Sequence, residues 1–155
     1  MKHLIKLRTA QKRDDPFIFS LSPYLAEVAQ LSWHTEDVIN KMQYDYIAEM
    51  LKETSVPHIT YIADIDNTPS GFIHIRTQHD SISGETVATI PLLAVSPKYQ
   101  SMGIANRLID KAEEWGKAQG CRLLHLEVFA NNKNAQGFYK HNGFEAEMIE
   151  MVKVI

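Results

Sequence analysis

Three strand-like runs follow one another with no helix between them, and this succession limits the fold more than any other feature. "HITYIADID" is closed by "NTPSG", "GFIHIRTQ" is closed by "HDSISGE", and "TVATIPLLAV" leads into a further turn. Helix, strand and helix patterns then take over in "GIANRLIDKAEEWGKAQG", "CRLLHLEVF" and "NKNAQGFYKHNG". Ile104, Leu108, Ala112, Trp115 and Gln119 recur at helical spacing, and Gly120 and Gly143 are placed to stop their helices. Successive strands followed by a strand–helix–strand crossover predict an α/β fold, a mixed sheet with helices on both faces.

The flanks agree with this plan. "HLIKLR" alternates apolar and charged residues as a first strand does, and "DDPFIFSLSPYLAEVAQLSW" reads as a short helix and a turn. "TEDVINKMQYDYIAEMLKE" predicts a longer helix, capped by Thr35, with acidic residues in its first turn. "FEAEMIEMVKVI" closes the chain as a strand. At 155 residues the chain is expected to form a single domain over 1–155.

Two local features break ordinary rules. Pro91 lies inside a run that ought to be a central strand, where its missing N–H interrupts the ladder, so a bulge is its expected place. In "VSPKYQSMGIANRLI" an apolar run passes through a turn into a helix with no Ser, Thr or Asp cap at Gly103. Either Gln100 and Ser101 serve as partial caps, or the N–H groups are left free for an anionic ligand. No Lys-Ser/Thr follows the glycine and no G-x-G-x-x-G is present, so neither nucleotide signature applies.

Composition narrows the function classes. A net charge of −3 gives no basic stripe, so a nucleic-acid partner is not expected. No apolar run is long enough to span a membrane, and the opening residues do not form a signal peptide, so a cytoplasmic protein is expected. Cys121 is the sole cysteine, and the histidines, His74, His79 and His141 among them, lack ligand-like spacing. No metal is assigned.

Four places remain as candidates for chemistry. Asn132 and Tyr139 fall near one side of a short helix. Asn132 is either a cap or a donor to a ligand, and Tyr139 is either core or a general acid. Glu127, near the carboxyl end of an inner strand, is either exposed or salt-bridged, or a base beside the crevice where α/β sheets bind ligands. In "SWHTED", Trp33 with Glu36 and Asp37 is either a solvated helix entrance or a pocket for a cationic amine.

Together, "LLAVSPKYQSMGIANRLI" and "LEVFANNKNAQGFYKHNGF" resemble the GNAT superfamily of N-acetyltransferases. The earlier stretch is similar to that family's strand and Q/R-x-x-G-x-G/A pyrophosphate loop, with alanine in place of the last glycine. The later stretch is similar to its Asn-x-x-Ala-x-x-x-Tyr pattern running into Gly-Phe. The resemblance implies a mostly antiparallel twisted sheet with a bulged, splayed central strand pair. It implies acetyl-CoA as donor and a primary amine as acceptor, on a small molecule or a peptide N-terminus.

By that resemblance, Leu93, Ala94 and Val95 meet the pantetheine arm, and Gln100, Ser101, Met102, Gly103, Ile104 and Ala105 hold the pyrophosphate, with Asn132 a further cofactor contact. Glu127 becomes the base, since the bulged strand carries no acidic residue. The N–H of Val95 meets the developing oxyanion, and Tyr139 protonates the departing thiolate in a ternary complex. Cys121 looks too remote to carry an acyl group. The short stretch after Phe144 leaves room for one long strand, or for two brief ones completed by a second subunit in a homodimer. The alternative to an enzyme is a catalytically silent acyl-CoA-binding sensor or partner module.

Overall fold

The computed structural model describes residues 4–155, in which five strands form one sheet. They are β1 (Ile5–Thr9), β2 (His58–Ile65), β3 (Thr68–His79), β4 (Thr86–Val95) and β5 (Leu124–Leu126), side by side in chain order. The first four pair antiparallel and β5 runs parallel to β4. A parallel neighbour needs a crossover, which α4 (Ile104–Ala118) supplies. The His3 end of the expected first strand lies outside the described residues.

Between β1 and β2 come α1 (Asp15–Ser20), α2 (Ser22–Glu27) and α3 (Glu36–Met50), and α5 (Lys133–His141) follows β5. Where one short helix and a turn were expected, two short helices meet at Leu21. Each opens on a proline, Pro16 and Pro23, because a residue without an N–H starts a helix more readily than it continues one.

The sheet is covered on both sides. On one face Ile73, Ile75, Ala88 and Ile90 pack with Ile104, Leu108, Ile109 and Ala112 of α4, all of them buried. Gly116 allows this approach, since a Cβ there would come within 3.1 Å of the Ala88 Cβ. On the other face Ile62, Phe72 and Leu92 pack with Ile18, Leu21 and Ile47 of the helices preceding β2.

Pro91 sits at a bulge, as its missing N–H requires. Between the pairs His74–Leu92 and Arg76–Thr89, the single residue Ile75 of β3 faces two residues of β4, Ile90 and Pro91. The extra residue resets the alternation: Ala88 and Ile90 face α4, whereas Leu92 and Ala94 beyond the bulge face α1–α3. β4 pairs with β5 only through Ala88, Thr89 and Ile90. From Pro91 onward the two strands part.

Two strand expectations are corrected. "CRLLHLEVF" contributes only Leu124–Leu126, because its pairing with β4 ends at the bulge. The closing strand over 144–155 does not form. Residues 145–155 carry no regular structure and lie open to solvent, with Met148 at 78% and Met151 at 89% exposure. A strand needs a neighbour for its N–H and C=O groups, and this segment pairs with none of the five. Among the described residues no helix is long and apolar enough to cross a membrane.

Candidate active site

The parting of β4 and β5 leaves backbone groups without partners. The Ser96 N–H donates to the Ser70 carbonyl at 2.8 Å, which sets the phase of the β3–β4 ladder. Inward and outward groups alternate along an antiparallel strand, so Ala94 addresses β3 while Leu93 and Val95 turn theirs toward the gap. The Val95 carbonyl accepts from Nε2 of Gln100 at 3.4 Å.

Beyond β4 the chain makes a tight turn over Pro97–Tyr99 and enters α4 through Ser101 and Gly103, both left-handed at φ +65° and +84°. Gly103 occupies the cap position and no side chain accepts from the first-turn N–H groups. No acidic residue lies in that turn either, so the positive end of the helix is uncompensated. Gln100, Ser101 and Gly103 are exposed and Met102 and Ala105 half-buried, whereas the Ile104 side chain anchors the turn in the core.

Glu127 lies one residue past β5 and is exposed. Leu124 and Leu126 pack on the α4 side, so alternation turns Glu127 toward α3. Its charge is felt there: burial pushes the Tyr46 phenol up, Arg76 opposes the rise, and Glu127 and Glu49 add to it. Tyr139 on α5 is held edge-on between Phe138 and Phe144, at ring separations of 5.5 and 5.6 Å. Burial pushes its phenol up to about 12, which keeps it protonated. Asn132 caps α5, its Oδ1 accepting from the Ala135 N–H at 3.2 Å. Burial also pushes the Cys121 thiol up, which keeps it in the less nucleophilic form.

Trp33, Glu36 and Asp37 are exposed at the start of α3, Trp33 lying against His34 at 6.4 Å. They do not line the cavity found on this side of the sheet. That cavity, of about 100 Å³, lies further along α3, bounded by Tyr46, Glu49, Glu53, His74, Arg76 and Pro91. Glu36 and Tyr46 are ten residues apart, about 15 Å along a helix at ~1.5 Å per residue. A wider depression of about 420 Å³, between β1 and α4 at the far edge of the sheet, touches none of these residues.

The cavity beside α3 also holds His74, which lacks ligand-like spacing in the sequence, and Tyr46, which no motif singles out. His74 is 2% exposed, with Nδ1 2.7 Å from Oγ1 of Thr60 directly across the ladder. Burial first, then electrostatic interaction with His58 and Arg76, pushes its imidazole down to about 4, so it is neutral near pH 7. The available signal was its alternation with Phe72 on an inner strand, which buries a polar ring.

The acetyltransferase (GNAT) family pattern matches residues 20–144. An uncharacterized N-acetyltransferase of Methanocaldococcus jannaschii is 36% identical over 94 residues, 60% of this chain and 41% of that protein. The aminoglycoside N(6')-acetyltransferase type 1 of Salmonella typhimurium is 28% identical over 89 residues, 56% of this chain and 61% of its own. The match therefore spans less than two thirds of the length of these curated relatives. Among solved structures, the aminoglycoside N-acetyltransferase AAC(6')-Iy in complex with CoA superposes with a TM-score of 0.70 at 20% identity, over 99% of this chain and 97% of that one. The ribosomal-protein-alanine N-acetyltransferase of Brucella melitensis gives the same TM-score at 14% identity, over 99% and 100%.

Proposed function

Because the chain belongs to the GNAT acetyltransferase family, we propose that it moves an acetyl group from acetyl-CoA to a primary amine by direct attack in a ternary complex. The observation that carries this reading is the gap itself. The backbone groups of Leu93 and Val95 face an opening that no strand fills, beside a helix start that no side chain caps. An extended amide chain ending in a pyrophosphate satisfies both, the amides along Leu93–Val95 and the phosphates on the N–H groups from Gln100 to Ala105. Ala94 contributes through its neighbours, since its own backbone addresses β3.

The residues around the gap divide the chemistry. An alkylammonium, with a pKa of about 10.4, must lose a proton before its nitrogen can attack the acetyl carbon. Glu127 accepts that proton, directly or through water. As the nitrogen–carbon bond forms, negative charge grows on the acetyl oxygen, and the gap-facing N–H of Val95 stabilises it. When the carbon–sulfur bond breaks, the Tyr139 hydroxyl protonates the leaving thiolate and is reprotonated by solvent. Held near 12 by burial, the phenol is protonated at neutral pH and has the proton to give.

A free-thiol assay across a panel of amines tests the reading, with Tyr139→Phe and Glu127→Gln beside the wild type. The expected result is loss of turnover by at least about 10²-fold in each variant while acetyl-CoA still raises the melting temperature. Binding of acetyl-CoA with no thiol released for any amine would favour the sensor reading instead.

A homodimer is part of the same proposal. The unpaired segment 145–155 carries Met148, Ile149, Met151, Val152 and Val154, each at least 52% exposed, and the outer edge of β5 is open. Apolar residues on both sides of an extended segment suit a strand buried on both faces, here against a second copy. Light scattering of the full chain should give a dimer mass, and of a chain ending at Phe144 a monomer mass. A monomer mass for the full chain would remove the dimer, and a dimer mass for the shortened chain would remove the segment's part in it.

A further inference from the structure

On the basis of the acetyl-transfer reading, we propose that the cavity between α3 and the bulge seats the acceptor's ammonium group. Nε2 of His74 is its hydrogen-bond partner, and its ligand class is a slender linear alkylamine rather than an amino sugar.

Four observations converge on this assignment. The first is an open valence. His74 is 98% enclosed, its Nδ1 is engaged by Thr60, and among the described residues no group meets its Nε2. Among the described residues no buried side-chain nitrogen or oxygen lacks a partner, so Nε2 must open onto accessible space, and the space His74 borders is this cavity. A polar atom so enclosed and so aimed is costly to desolvate unless a ligand completes it.

The second observation is charge. Of the cavity's ionic groups, Arg76 and Glu53 pair at 3.3 Å, and Glu53 also accepts from the Ser55 N–H and hydroxyl. What is left over is the carboxylate of Glu49, with Glu127 close enough to act on the neighbouring Tyr46. The surplus is negative and suits a cation.

Size is the third. A cavity of about 100 Å³ is smaller than the ~150 Å³ that encloses one unsubstituted benzene ring. That admits an aminoalkyl end of a few heavy atoms and leaves no room for a substituted six-membered sugar ring.

The fourth is placement. The bulge turns Pro91 and Leu92 to this face in succession, and Pro91 forms the cavity wall where β4 leaves β5. An amine seated here adjoins the gap in which the thioester would lie.

Two readouts on the full chain separate this proposal from the reading beneath it. Free-thiol release is followed with 1,4-diaminobutane, n-butylamine and the aminoglycoside kanamycin, and the ¹⁵N signals of His74 are followed as 1,4-diaminobutane is added in the presence of CoA. The proposal expects kcat/KM for the linear amines to exceed that for kanamycin by at least about tenfold. It expects the diamine to shift Nε2 of His74 and leave Nδ1 near its starting position.

Glu49→Gln, at an exposed helical position, should raise the amine KM about tenfold, the scale of one hydrogen bond to a charged group, with the acetyl-CoA KM unchanged. His74→Gln should keep most of the amine affinity and His74→Leu should lose it. Preference for kanamycin, or turnover of the diamine with His74 unmoved, overturns the assignment. A diamine-induced shift of Nε2 with no amine acetylated upholds the site and overturns acetyl transfer.

Discussion

α3 and α4 are both fifteen residues long and lie on opposite faces of one sheet, yet they begin and pack in opposite ways. α3 starts with Thr35 accepting from the Val38 N–H at 3.3 Å, followed by Glu36 and Asp37. α4 starts on a left-handed glycine with neither cap nor acid. The helix that satisfies its own first turn has nothing there to offer an anion, and the one that leaves it bare does.

Their inner faces reverse the contrast. α4 presses Ile104, Leu108, Ile109 and Ala112 onto an apolar sheet face. α3 brings Gln43, a polar residue only 5% exposed, toward a face that also holds His74. One face supplies stability, with its unsatisfied N–H groups confined to the helix end. The other surrenders some stability to keep polar atoms available.

The comparison can be broken first at its apolar side. Leu108→Ala should destabilise the fold by about 2–5 kcal/mol in urea titrations, since Leu108 is fully buried against the sheet. A loss under about 1 kcal/mol would mean that the α4 face is not the stabilising one.

The polar face predicts a pH dependence instead. His74 titrates near 4 when folded, against 6.5 in an ordinary environment, so the unfolded chain binds the proton first as pH falls. Stability is therefore full above about pH 6.5 and declines toward pH 4, by about 3 kcal/mol at ~1.4 kcal/mol per unit. Carboxylates held low by their partners, such as Glu53 near 2, add to the decline only below about 4.5. His74→Gln should flatten the slope between pH 6.5 and 4.5, and an unchanged slope would assign it to other groups.

Smaller effects sharpen the contrast at the helix start and the helix face. Gly103→Ala meets no atom within 4 Å, so its expected cost of about 1–2 kcal/mol comes from φ alone. Calorimetric titration should show weaker acetyl-CoA binding as the turn relaxes. Gln43→Leu should change stability by less than about 1 kcal/mol, or raise it, because an apolar side chain of similar size replaces a buried polar one beside an apolar cluster. A loss above about 2 kcal/mol would show that the Gln43 amide is structurally engaged.

Much of this arrangement was legible in the residues. Pro91 announced its bulge because a residue without an N–H has few places in a sheet, and the missing cap at Gly103 announced an uncompensated helix end. Thr35 and its acidic neighbours marked the start of α3 in the same local way. Asn132 showed both of its roles in the sequence, and the geometry of α5 makes it a cap.

The rest lay beyond local pattern. "FEAEMIEMVKVI" alternates well enough for a strand, but alternation does not create a partner, and no strand among the described residues pairs with the outer edge of β5. Glu36 and Asp37 open the helix that borders the cavity and Trp33 precedes it, Glu36 about 15 Å from Tyr46 at ~1.5 Å per residue, a separation that residue types do not reveal. Periodicity, caps and missing donors are properties of neighbouring residues, and they suffice for most of the elements, the bulge and the bare helix start. Which face Leu92 takes after the bulge, what encloses His74, and how Tyr46 comes within the field of Glu127 depend on residues dozens of positions apart. Those follow from the packing of α3 against the parted strands, because burial and electrostatic coupling act through space and not along the chain.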